Sequence, residues 1–147
     1  MLALPRSPQH SLQPKVRRRD RRHYDETGTT IICIVSHEFS HTLQYYRGYL
    51  AAMRQSISSL GVENNADFLS GYYLGVRAQR VRSLDMQTVL DFYARIGRPG
   101  NGKSDRDHGN SAERVEAVSA GLAIGLDQKK VLDDAVQASW QHVGYNG

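Results

Sequence analysis

The sequence predicts a mainly α protein: one helical domain with few or no strands, behind a disordered N-terminal tail. Three observations carry this. From position 29 onward the apolar residues recur at three- and four-residue steps, and no segment alternates with period two. Glycines and capping residues punctuate those helical stretches at intervals that suit short connections. The chain has 147 residues, 39% of them hydrophobic, which suits one domain with one modest core.

Residues 1–27 hold three of the four prolines, Pro5, Pro8 and Pro14, and little apolar pattern, so they read as the tail. The first helix follows the turn-like Tyr24-Asp25-Glu26-Thr27-Gly28. Thr29 or Thr30 is its expected N-cap, and it runs to about Arg47, with Gly48 as the stop. Residues 49–60 suit a second, short helix. A third runs from Val62 to about Arg82, where Ala66, Leu69, Tyr73 and Val76 recur at helical spacing. Ser83 is the expected cap of a fourth, reaching Ile96. Gly97-Arg98-Pro99-Gly100-Asn101-Gly102 reads as a loop. Asn110 with Glu113 has the form of a capping box for a fifth helix to about Gly125. Asp127 is the expected cap of a sixth, through Trp140. Residues 28–147 thus form the domain.

Composition narrows the function classes. No stretch approaches the roughly 20 apolar residues of a membrane span. Leu2-Ala3-Leu4 is too short for the apolar part of a secretion signal, and the basic cluster lies on its wrong side, which predicts a cytoplasmic location. A single cysteine, Cys33, excludes an internal disulfide, and its place in an apolar run predicts a buried side chain. The net charge of +4 is a property of the tail. Residues 1–24 carry seven basic side chains and one acid, which leaves 12 basic and 14 acidic residues in the remainder. The run Lys15-Val16-Arg17-Arg18-Arg19-Asp20-Arg21-Arg22 offers a contact for nucleic acid or an anionic membrane, but the slightly acidic body argues against a nucleic-acid-binding domain.

The chemistry concentrates at His37-Glu38-Phe39-Ser40-His41, an HExxH motif in the first helix. Residues four apart stand on one helical face, so His37 and His41 can offer two imidazole nitrogens to one metal ion. Glu38 can act as base toward a water bound to that ion. Catalytic zinc sites use three protein ligands, and the next strong helix begins Glu63-Asn64-Asn65-Ala66-Asp67. Glu63, 22 residues after His41, is the candidate third ligand. Asp67, one turn further, can accept a hydrogen bond from the non-ligating N–H of a ligand histidine. The alternative is that both are simply acids near a helix N-terminus, where acids are favourable.

The ordered set His37-Glu38-x-x-His41-x-x-Gln44, Glu63-x-x-Ala66-Asp67-x-x-x-Gly71 and His108-Gly109-x-Ser111-x-x-Arg114 resembles the bacterial neutral zinc metallopeptidases. That family is itself similar to the gluzincins. The resemblance spans residues from about 29 to 125. It implies a zincin-like helical domain, zinc held by His37, His41 and Glu63, and peptide-bond hydrolysis with Glu38 as base. His108 either steadies the oxyanion of the tetrahedral intermediate or is a loop histidine that meets solvent. Gln44 lies on the histidine stripe, either to serve it or merely as a polar helix position. Gly71 and Gly75 suit close helix packing. Related peptidases place a sheet upstream of this helix, whose edge pairs with extended substrate. Residues 1–28 show no strand pattern, so the expectation divides. One branch is an active peptidase with a peptide or protein substrate; the other is a shortened or degenerate relative that holds zinc without proteolysis.

Overall fold

The computed structural model describes residues 28–81, 84–97 and 109–147. Among these are six helices and no strand: α1 (Thr29–Tyr46), α2 (Leu50–Ser56), α3 (Ser59–Ala78), α4 (Met86–Ile96), α5 (Ser111–Leu126) and α6 (Leu132–His142). The mainly α expectation is met. The basic segment 1–27, Ser83 and His108 lie outside the described residues.

The helix ends correct the sequence reading in detail. α1 enters through Gly28 at φ 70°, with no side-chain cap, in place of a threonine cap. That left-handed conformation carries no Cβ penalty in glycine, and Thr29 is already a fully buried helical residue. Ser58 caps α3, which starts at Ser59, three residues before the expected Val62, and the Ser58 side chain accepts from Gly61 N. Asp85, and not Ser83, caps α4: its carboxylate accepts from Gln87 N at 3.0 Å and from the Thr88 hydroxyl at 2.6 Å. Asp127 closes α5 and opens no helix, its carboxylate accepting from Lys129 N at 3.0 Å. α6 begins only at Leu132, where Asp134 accepts from Val131 N at 2.9 Å. The Asn110–Glu113 capping box is present in both its bonds, at 3.0 and 3.1 Å.

α3 is the central element, packed against α1, α2, α5 and α6. α3 and α5 run parallel in near backbone contact. A Cβ on Gly121 would fall on the Phe68 carbonyl oxygen, one on Gly71 on that of Val118, and one on Gly125 on that of Tyr72. A Cβ on Gly75 would lie 2.7 Å from Leu122 O. Only glycine permits this approach, and the pairing places residue 67 of α3 opposite residue 114 of α5. α1 crosses the other side of α3 antiparallel, so that Ser36 meets Ser70, His37 meets Asp67, and Gln44 meets Val62.

Two apolar clusters hold the helices. One gathers Cys33, Leu74, Leu84, Val89, Tyr93, Val118 and Leu122; the other gathers Tyr49, Met53, Val62, Leu69, Val136 and Tyr145. Full burial of a Leu or Val side chain contributes about 1.5–3 kcal/mol. α1 takes an unusual part in this. Its buried residues are Thr29, Cys33, Ser36, Ser40 and Gln44, while Ile31, Ile34, Val35 and Phe39 are exposed. The helix turns its polar stripe inward because that stripe carries the hydrogen bonds of the site. No helix of the described residues is long and apolar enough to cross a membrane.

Candidate metal centre

The antiparallel contact of α1 and α3 gathers His37, His41 and Glu63. His37 Nε2 and His41 Nε2 are 3.2 Å apart. Glu63 Oε2 is 3.4 Å from the first, and Glu63 Oε1 is 3.4 Å from the second. All three residues are half-buried, so the cluster has a protein side and a solvent side. They are the one His/Cys/Asp/Glu group among the described residues that can hold a metal ion.

The hydrogen bonds behind the histidines decide which nitrogen each offers. Asp67, fully buried, can only accept when ionised, so His37 Nδ1 donates to its Oδ1, at 2.7 Å. The case of His41 is traced from further away. Ser139 Oγ donates to Val136 O at 2.7 Å, and accepts from Asn65 Nδ2 at 2.8 Å. Asn65 Oδ1 therefore accepts from Gln44 Nε2 at 2.9 Å, and the same amide nitrogen donates to Val62 O at 3.0 Å. That fixes Gln44 Oε1 toward His41 Nδ1, which donates at 2.9 Å. In both neutral imidazoles Nε2 is then a bare lone pair. Two such nitrogens and a carboxylate converge within 3.2–3.4 Å, with room for a proton or a cation between them.

Converging acceptors attract a positive charge, as protons or as a metal ion. The imidazole pKa values report this. Burial pushes His37 down, but hydrogen bonds and charge from Asp67 and Glu63 outweigh it and raise it to about 9. A hydrogen bond donated to the Glu63 carboxylate raises His41 against the opposing effect of burial. The group can hold a metal ion, and its donors, two imidazole nitrogens and a carboxylate, are of a kind that suits a borderline divalent one.

Beneath His37, Ser36, Ser70 and Tyr93 join α1, α3 and α4 through a run of buried hydroxyls. It ends where Ser36 Oγ donates to Cys33 O, at 3.0 Å. Burial pushes the Tyr93 phenol upward, and the nearby Asp67 charge adds to this, so it remains a donor. Arg114 of α5, 3% exposed, donates from Nη2 to Asp67 Oδ1 at 2.8 Å.

The structure thus brings together His37, His41, Glu63 and Asp67, and places Cys33 in the core. Glu38 is exposed, about 100° round α1 from His37 on the solvent side. Gly109, which follows His108 in the chain, is buried at φ 89°, and a Cβ there would press on Leu60, beside Asn64. Sequence reasoning left the role of Gln44 open and gave none to Arg114, Asn65 or Ser139. The available signal was the step of four from Ser36 to Ser40 to Gln44, a polar stripe on the face that holds Cys33.

No protein-family profile, no curated protein and no solved structure matches the chain.

Proposed function

We propose that the protein is a zinc-dependent hydrolase of amide bonds, acting on peptides. The observation that carries this reading is the convergence of His37 Nε2, His41 Nε2 and the Glu63 carboxylate: the two nitrogens are 3.2 Å apart, and each lies 3.4 Å from a different carboxylate oxygen. Ligand bonds of about 2.0–2.1 Å in a tetrahedral zinc site imply ligand–ligand separations of roughly 3.3 Å. The two nitrogens have the spacing of one edge of such a tetrahedron, and the carboxylate lies at a similar distance from each. Structural zinc sites use four protein donors, whereas three donors with a solvent side suit a site that leaves room for water and substrate.

When bound, zinc supplies a Lewis acid that acidifies water and polarises the scissile carbonyl. Glu38, next to His37 and facing solvent, takes the proton of the attacking water and passes it to the leaving amine. Asp67 and Gln44 keep Nε2 of each imidazole turned to the metal. The motif resemblance to the bacterial neutral zinc metallopeptidases supports a peptide as substrate.

Purified chain loaded with zinc is incubated with a mixed peptide library and the cleavage products are read by mass spectrometry. The wild type cleaves, while Glu38→Gln retains its zinc and loses cleavage by a factor of about 10² or more. A zinc-loaded wild type that cleaves nothing would overturn the hydrolase reading and leave a zinc-binding relative without proteolysis.

A further inference from the structure

We propose that Arg114 is a positioning residue of the metal centre, holding Asp67 so that it fixes the orientation of the His37 imidazole. This rests on the metal-centre reading above. Arg114 and Asp67 belong to different helices and touch no ligand atom at the open side of the site. Their contact is nonetheless the support of His37: Asp67 Oδ1 accepts both from Arg114 Nη2 at 2.8 Å and from His37 Nδ1 at 2.7 Å.

The geometry is that of a device for orienting a third group. An arginine and a carboxylate left to themselves favour a two-bond fork. Here the fork is not made: Asp67 Oδ2 and Arg114 Nε are both buried without a hydrogen-bond partner. The pair gives up the second bond, and the carboxylate presents one oxygen to two donors. Asp67 is 0% exposed, and a buried carboxylate without a fixed cationic partner is costly. The guanidinium supplies the missing charge. Its own position is set twice, by the glycine-lined approach of α3 and α5 and by the Tyr93 ring, whose centroid lies 5.8 Å from the guanidinium carbon.

The test measures zinc affinity of the full chain by competition with a chromophoric chelator, and the visible spectrum of the cobalt(II) form. Arg114→Met should weaken zinc binding by about 10-fold or more and alter the cobalt bands, while Arg114→Lys should restore most of both. Asp67→Asn should weaken binding similarly. The double variant should be no weaker than Asp67→Asn alone, since Arg114 acts only through Asp67. A purely structural arginine would give additive losses and unchanged cobalt bands. Wild-type affinity in a folded Arg114→Met, or a double variant much weaker than Asp67→Asn, would overturn the proposal. If Arg114→Met does not fold, the double variant, which leaves no unpaired buried charge, still decides against Asp67→Asn. A wild type that takes up no zinc refutes the metal centre itself, and is distinct from a zinc-loaded wild type with an indifferent Arg114→Met.

Discussion

Gln44 holds His41 from the buried side of the same helix: the amide Oε1 accepts from His41 Nδ1 at 2.9 Å, while its Nε2 spans to Val62 O and Asn65 Oδ1 on α3. One fully buried side chain therefore sets an imidazole tautomer and ties two helices. Gln44→Leu removes both. The expected result is zinc affinity lower by about 10- to 100-fold, and stability lower by about 1–3 kcal/mol from the acceptors left unpaired in the core. Competition titration and urea unfolding measure the two effects separately. Unchanged zinc affinity would show that Gln44 serves only the packing.

Glu63→Ala removes the only carboxylate of the ligand triangle. Elemental analysis after dialysis should find about one zinc per wild-type chain and a small fraction of that in the variant. Glu63 is half-buried and outside both apolar clusters, so helix content by circular dichroism should persist. Full zinc occupancy in a folded Glu63→Ala would reject the third-ligand assignment.

The metal-free protein should lose stability as pH rises across the range that ends near 9. His37 binds its proton more tightly in the folded chain than in the unfolded one, where its pKa is the ordinary 6.5. The stabilisation it gives is complete below about pH 6.5 and is lost as pH rises through about 9. Zinc competes for the same nitrogen, so its binding should release protons and tighten over that interval. Melting temperatures with chelator present, and calorimetry in buffers of different ionisation enthalpy, test the two halves. A flat metal-free melting profile between pH 6.5 and 9 would count against the raised histidine.

Gly121→Ala should destabilise by about 1–3 kcal/mol or more, because its methyl group would meet the Phe68 carbonyl and push α5 off α3. The same displacement moves Arg114 from Asp67, so zinc affinity should fall together with the melting temperature. Val131→Ala, at an exposed position ahead of α6, should move neither.

Much of the fold was legible because its signals are local. Helical periodicity from position 29, the Asn110–Glu113 capping box and the stop at Gly48 depend on residues within a turn of one another, and each helix exists where its pattern lies. Where two cap residues competed, as with Ser83 against Asp85, or a carboxylate had a turn to serve, as with Asp127, the ends moved by several residues.

The sequence by itself determined that the chain is helical, that His37 and His41 share a face, and that Glu63 and Asp67 follow one turn apart on a later helix. A helix has one period, so these relations hold whatever surrounds it. Only the tertiary structure decided that α1 buries Ser36, Ser40 and Gln44 and leaves Ile31, Ile34, Val35 and Phe39 outside. Hydrophobicity alone would turn that helix the other way. Partners on α3 reverse the preference, since Asn65, Asp67 and Ser70 supply the bonds that make a polar face worth burying. Arg114 lies 47 positions beyond Asp67, and their contact depends on how closely α3 and α5 approach. That distance is set by glycines whose meaning appears only when the two backbones meet.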